Sequence, residues 1–169
     1  MKTPICSFDA KTGILCSKCE SKLKSGHLTE GDVEASIKLT KLAEKNNTID
    51  KFTLTGAYKL DEGLIMVLPS PDISIIRSDE NIMNKIKEEF KENIWIIETG
   101  ATEKRFIENL VYPVKIDSIN LVWLPDGNKL TKIVISEKKN KNKIIEEVKI
   151  KGIASKIKNI ELLIEYVKK

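Results

Sequence analysis

The stretch Asp72 to Glu98, DISIIRSDENIMNKIKEEFKENIWIIE, leaves the fewest ways to fold. Ile82, Ile86 and Phe90 fall at i, i+4 and i+8, with Met83 three residues ahead of Ile86. That spacing lines one face of a helix opposite Lys85, Lys87, Glu88 and Lys91. A short apolar helical start precedes it across a tight polar turn. Ile94, Trp95, Ile96 and Ile97 then form the β-branched and aromatic run of a buried strand. The order is helix, turn, helix, strand, and the neighbouring chain must supply a sheet for that strand to join.

The preceding residues supply it. Thr29 is placed to cap a helix over 30–46, with acidic residues in its first turn and Ala35, Leu39 and Leu42 on one face. Phe52 to Tyr58 alternates as a strand, 59–63 is a hairpin loop, and Leu64 to Leu68 is a second, buried strand ended by Pro69 and Pro71. After Thr99-Gly100 the pattern restarts. Thr102 caps a helix carrying Phe106, Ile107, Leu110 and Val111, and Pro113 stops it. Val114 to Leu124 reads as a strand, Pro125-Asp126-Gly127 as a turn, and Leu130 to Ser136 as the hairpin partner. Lys138 to Lys143 reads as a loop, Ile144 to Ile150 as a strand, and Ile153 to Val167 as a final helix, so the chain is expected to stop without a closing strand. Trp95 and Trp123 both fall in apolar strands, which predicts core packing for each.

The expected class is α+β. Residues 29–100 follow the element order of a type II KH domain, and 101–169 follow it as a second, incomplete and degenerate KH-like unit, giving two tandem units. In a KH unit the turn between the helices clamps nucleic-acid backbone.

Residues 1–28 form a segment of their own. Cys6, Cys16 and Cys19 are the cysteines of the chain, and Cys16-Ser-Lys-Cys19 has the C-x-x-C spacing. No thioredoxin-like strand–helix pattern surrounds it, so metal outranks redox. A zinc knuckle needs a second pair, and Cys6-Ser-Phe-Asp9 supplies one with a carboxylate in place of a thiolate. The expected site is Cys6, Asp9, Cys16 and Cys19 around a structural zinc, with His27 the rival fourth ligand.

The formal charge of +4 is mild, but ten lysines against four glutamates lie between Lys138 and Lys169. No apolar run approaches the ~20 residues that span a bilayer, and the N-terminus has no apolar core of a signal peptide, so a cytoplasmic protein without a membrane partner is expected. One histidine, no nucleophile elbow and no phosphate-binding glycine loop argue against an enzyme and against a small-molecule substrate.

The segments Thr3-Pro-Ile-Cys6, Lys11-Thr-Gly-Ile-Leu-Cys16, Cys19-Glu-Ser-Lys-Leu23, Arg105-Phe-Ile-Glu-Asn-Leu110 and Val122-Trp-Leu-Pro-Asp-Gly127 together resemble the archaeal NusA-like proteins. These carry tandem KH domains, some behind a zinc knuckle. The resemblance implies RNA binding in the context of transcription. The KH turn itself departs from G-x-x-G: in the first unit it is Arg77-Ser-Asp-Glu80, with two carboxylates where an anion would sit, and in the second the aligned stretch is Ile153 to Ile160, with Lys156 and Lys158. The expected contacts are Arg77, Ser78, Lys138, Lys139, Lys141, Lys156 and Lys158, meeting nucleic-acid backbone with little sequence preference. The alternative is a degenerate KH paralogue that docks as a protein-interaction module in a transcription or RNA-processing complex.

Overall fold

A computed structural model describes residues 1–136 and 145–168 of the chain. The chain is α+β and divides into two compact units, Met1–Gly100 and Ala101–Lys169.

The first unit contains α1 (Ser7–Thr12), α2 (Ser17–Lys24), α3 (Glu30–Ala43), a single 3-10 turn (Ile49–Lys51), β1 (Gly56–Leu60), β2 (Gly63–Leu68), α4 (Ser70–Ser78), α5 (Glu80–Phe90) and β3 (Ile94–Glu98). Its sheet runs β1-β2-β3. β1 and β2 form an antiparallel hairpin, while β2 and β3 are parallel, from Leu64↔Ile94 to Leu68↔Glu98. Parallel neighbours need a crossover, and the α4–α5 pair is that crossover. Leu64, Met66 and Leu68, on one face of β2, share a core with Leu39 of α3, Ile73 and Ile76 of α4, and Ile82, Ile86 and Phe90 of α5. The expected strand over 52–58 is shorter than its alternation suggests. Thr53 makes only an isolated bridge to Lys2, and pairing with β2 begins at Gly56.

Two aspartates fix this unit's backbone. Asp32 completes a capping box with Thr29 and also accepts the Ala57 N–H at 2.6 Å, tying the start of α3 to β1. Gly31 makes that approach feasible, because a Cβ there would lie 2.7 Å from the Lys59 nitrogen. Asp72 accepts the Thr53 N–H at 2.8 Å. Residues 1–28 share the same compact unit: Ile5, Ala10, Cys19 and Leu28 form a small core that packs on Val33 and Ile37 of α3.

The second unit contains α6 (Glu103–Val111), β4 (Ser118–Trp123), β5 (Lys129–Ser136), α7 (Glu147–Lys158) and β6 (Glu161–Val167). Its sheet runs β4-β5-β6, antiparallel and then parallel, the arrangement of the first unit. Three sequence expectations fail here. The stretch read as a strand over 144–150 is, from Glu147 onward, the first turn of α7. The stretch read as one helix over 153–167 is helical only to Lys158 and continues as a strand. The unit therefore does have its closing strand. Asn159 is the cause: it takes the left-handed conformation (φ 53°) and its N–H caps the Ala154 and Ser155 carbonyls. Beyond it, Leu162 and Ile164 are buried while Glu161, Leu163 and Glu165 are exposed, the alternation of a strand. Ile160, Leu163, Ile164 and Val167 keep helical spacing while Ile160, Leu162 and Ile164 keep the alternation of a strand, and pairing with β5 decides between them.

Trp123 is a further correction. It lies in β4 as expected, but 70% of it is exposed, with Leu121 and Val122 exposed beside it. β4 is an edge strand, and Trp95, in β3, is by contrast half-buried.

Candidate functional site

The cysteine-rich segment is two copies of one local device. Cys6 is the N-cap of α1 and Asp9 its third helical residue; Cys16 is the N-cap of α2 and Cys19 its third helical residue. Both N-caps have nearly the same extended backbone, φ −68°, ψ 155° and φ −73°, ψ 162°. Neither cysteine makes a side-chain capping bond, which is where a helix would prefer Ser, Thr, Asp or Asn. A thiol at that position is a poor cap but a good ligand, and the third residue of the helix points toward the same spot.

The two devices converge. One ligand atom from each of Cys6, Asp9, Cys16 and Cys19 lies within 4.8 Å of every other, a group that could hold a metal ion. Tetrahedral zinc thiolates stand roughly 3.8 Å apart, given Zn–S bonds of about 2.3 Å, so a contraction of about an ångström would close the shell. Asp9 is fully buried; its Oδ2 accepts the Cys16 N–H at 3.0 Å, and its Oδ1 has no hydrogen-bond partner. A buried carboxylate oxygen left empty is costly unless something positive meets it. That orphaned oxygen and the soft thiol set together fit a zinc-type dication.

The local electrostatics act in opposite directions on two members of the cluster. Burial would raise the Asp9 carboxyl, but the Cys16 N–H and the three thiols outweigh it and hold it at about 2. The Cys6 backbone N–H favours the Cys19 thiolate, but Asp9, burial and Cys16 together push that thiol up to about 11. A cation would reverse the second effect by displacing the thiol proton. His27, the rival ligand, is exposed and pairs its Nδ1 with the Ser25 hydroxyl at 2.8 Å, outside this group.

The expected nucleic-acid contacts fall in both units. Arg77 and Ser78 are the last residues of α4, and the Ser78 hydroxyl donates to the Ile75 carbonyl at 3.0 Å. Asp79 alone joins α4 to α5. It is the N-cap of α5, and its carboxylate accepts the N–H groups of Asn81 at 2.9 Å and Ile82 at 3.4 Å. The donors that a helix N-terminus offers to an anion are thus taken by the protein's own carboxylate. Lys138, Lys139 and Lys141 lie outside the described residues. Lys156 and Lys158 are exposed in the last turn of α7, and the Lys158 ammonium lies 5.9 Å from the Phe106 ring centre. The stretch Ile153 to Ile160 is therefore not the counterpart of the first unit's turn. The counterpart of α5, the helix leading into the parallel closing strand, is all of α7, and what precedes it in the chain is the lysine run 138–143.

Sequence reasoning misses the closure by Asp79, although an Asp directly before an amphipathic run is a capping signal. It also leaves unused the internal match of Cys6-Ser-Phe-Asp9 to Cys16-Ser-Lys-Cys19, which places Phe8 and Lys18 at equivalent positions.

No protein-family model matches the chain, and no curated protein matches it. Among solved structures it is similar to the crystal structure of APE1850, at 20% identity and a TM-score of 0.49, over 77% of this chain and 95% of that one. A likeness of that size names neither an activity nor a partner.

Proposed function

We propose that the chain is an RNA-binding, transcription-associated adaptor of the archaeal NusA-like kind, with two KH-like units behind a zinc knuckle, and that the second unit rather than the first meets the nucleic-acid backbone. One contrast carries this reading. α5 and α7 hold the same place before a parallel closing strand, and Asp79 blocks the first, whereas Glu146, the N-cap of α7, makes no side-chain capping bond. Lys138, Lys139, Lys141 and Lys143 precede α7 in the sequence, and a KH turn grips phosphate at that position. Zinc held by Cys6, Asp9, Cys16 and Cys19 fastens the N-terminal segment, and the reading assigns no reaction to the chain.

Fluorescence anisotropy with single-stranded RNA across a salt series tests it. Replacing the four lysines by Gln should weaken binding more than tenfold at low salt and flatten the salt slope by about 0.7 for each phosphate no longer neutralised. Arg77→Gln should change binding by less than about twofold. Absence of binding by the wild-type protein at low salt sinks the reading. Metal analysis of the purified protein should find zinc retained in His27→Ala and weakened in Asp9→Ala; unchanged affinity in Asp9→Ala removes the ligand assignment.

The exposed Leu121-Val122-Trp123 edge favours a second reading, a KH paralogue that docks on a protein of a transcription or RNA-processing complex. A partner captured from lysate that survives nuclease and is lost in Trp123→Ser would support it.

A further inference from the structure

The two sheets leave four edge strands, and three of them are guarded against a further strand. At β1 the start of α3 takes the backbone: the Ala57 N–H donates to Asp32 and the Ala57 carbonyl accepts the Thr29 hydroxyl, each at 2.6 Å. Lys59, also on β1, is held by Glu34 and Glu92. β3 carries Glu98, and β6 carries Glu161 and Glu165. β4 has neither device. Ser118 to Trp123 contains no charged residue, and among the described residues no side chain bonds the backbone of β4. The helix before it passes it by: Glu103 of α6 accepts the Thr131 hydroxyl and the Lys129 ammonium, both on β5.

The direction of its free groups follows from the register. β4 pairs with β5 from Ser118↔Val134 to Trp123↔Lys129, and the next step of the same register is the Leu124 N–H on the Asn128 carbonyl at 2.9 Å. Backbone groups of an antiparallel pair point alternately toward the partner and away from it. Leu124 points inward, and so do Val122 and Asn120. Trp123, Leu121 and Ile119 therefore turn their N–H and C=O groups to the open edge. Their side chains also share one face of the sheet. Leu121 and Trp123 are exposed on it, while Thr131 and Ile133, beside Leu121 and Ile119 on β5, are buried. The edge is a short ladder centred on Leu121, apolar on one face and without charge along its length.

What fits such an edge is an extended, uncharged strand with a matching apolar face, and β4 itself meets that description. We propose that β4 pairs with β4 of a second copy of this chain, antiparallel about a twofold axis, so that two sheets become one. The register that uses every outward group sets Leu121 opposite Leu121 and Ile119 opposite Trp123, aliphatic and aromatic pairs of the kind that stabilise sheets. The charges at the ends agree with it. Lys115 and Asp117 precede the strand, and Asp126 and Lys129 follow it. Antiparallel pairing brings the start of one strand to the end of the other, where each meets an opposite charge, whereas parallel pairing would set each beside its own copy. Six paired residues a side make an interface well below the standard ~1,600 Å², so the dimer is reversible, with a Kd of roughly 10–100 μM. This inference goes beyond the RNA-binding reading and does not depend on it.

Sedimentation equilibrium of the full-length protein, from about 1 μM to about 300 μM, reads the association directly. The average mass should climb from that of one chain toward that of two. Leu121→Lys and Leu121→Glu each set like charges face to face on the axis and should weaken association by more than about tenfold. Mixed in equal amounts, the two variants should pair again, Lys against Glu. Leu121 is exposed, and an unchanged melting temperature in both variants establishes that the fold is intact. A wild-type protein that stays monomeric throughout overturns the proposal, whatever its affinity for RNA. A dimer that survives Leu121→Lys uses another surface and overturns it as well. So does a mixture of the two variants that stays monomeric. A wild-type monomer that holds a different protein through Trp123 overturns self-pairing and leaves the docking reading in place.

Discussion

The two units share one sheet plan, an antiparallel hairpin extended by a parallel strand, yet they are fastened differently. In the first, four aspartates each accept a backbone N–H: Asp9 from Cys16, Asp32 from Thr29 and Ala57, Asp72 from Thr53, and Asp79 from Asn81 and Ile82. Three of these bonds join chain segments that no sheet ladder or helix ties together. In the second unit Asp126 accepts the Asn128 N–H, but only within its own turn. Carboxylates thus act as structural staples in the first unit. The second unit fastens its elements through side chains instead, Glu103 of α6 accepting the Thr131 hydroxyl and the Lys129 ammonium of β5, each at 3.1 Å, and leaves apolar and basic side chains outside.

Metal removal should separate the two units most widely. Binding of zinc to structural sites of this type is worth on the order of 10 kcal/mol, and most of that becomes folding free energy of the segment it closes. Chelation, or Cys19→Ser, should therefore abolish hydrogen-exchange protection in α1 and α2 while protection in β5 and β6 persists. Equal loss in both units would mean that the first unit is not separately fastened. A protein whose α1 and α2 amides are indifferent to chelator carries no structural metal.

Asp32→Ala comes next. It removes the cap of α3 and strands the Ala57 N–H, at a combined cost of about 3 kcal/mol. The matching change in the second unit, Asp126→Ala, touches an exposed turn and should stay within about 0.5 kcal/mol. Denaturant melts of the two variants read the difference directly, and comparable losses would refute the idea that staples distinguish the units.

Much of this is legible in the sequence, and the failures have a common cause. α3, α5, α6 and the first hairpin announce themselves through one-sided apolar spacing and through Thr29 and Thr102 as caps, both of which cap as expected. The ligand set is legible because two x-x spaced pairs are local patterns. The end of the chain misleads because Ile160, Leu163, Ile164 and Val167 have helical spacing while Ile160, Leu162 and Ile164 alternate as a strand; the left-handed Asn159 and a neighbour 31 positions away, Leu130 against Glu161, settle it. Trp123 misleads because an apolar run signals a strand without saying whether another layer covers it. The role of Asp79 depends on where two hydrogen bonds go, and that is a fact of geometry.

Opening the blocked helix end gives a smaller effect. Asp79→Ala should cost about 1 kcal/mol by freeing the Asn81 and Ile82 N–H groups, whereas Glu146→Ala, which loses no capping bond, should cost only what its exposed pair with Lys149 is worth, a few tenths. The first variant also tests function from the opposite side. With the carboxylate gone, α5 regains an anion site, and RNA affinity should rise by a few-fold rather than fall. Unchanged affinity would show that closure by Asp79 is not what silences the first unit.

The smallest effects lie at the two ends of the pH scale, one in each unit. Burial would raise the Glu34 carboxyl, but its ion pairs with Lys38 and Lys59 lower it on balance. A depressed carboxylate stabilises the fold above its ordinary value near 4.3 and loses that contribution as pH falls below it, here by no more than about 0.5 kcal/mol given the exposure of the pair. Tyr166 is the opposite case. Burial, then its hydrogen bond to Glu147, pushes its hydroxyl up to about 12. A raised tyrosine stabilises the fold below its ordinary value near 10 and loses that contribution as pH climbs through about 12, so the contact between α7 and β6 should yield at the alkaline end. Ultraviolet titration of tyrosinate should show a late wave that disappears in Tyr166→Phe and moves toward pH 10 in Glu147→Gln. If the late wave survives Tyr166→Phe, the link between α7 and β6 lies elsewhere, and the second unit holds its closing strand by sheet pairing and apolar packing alone.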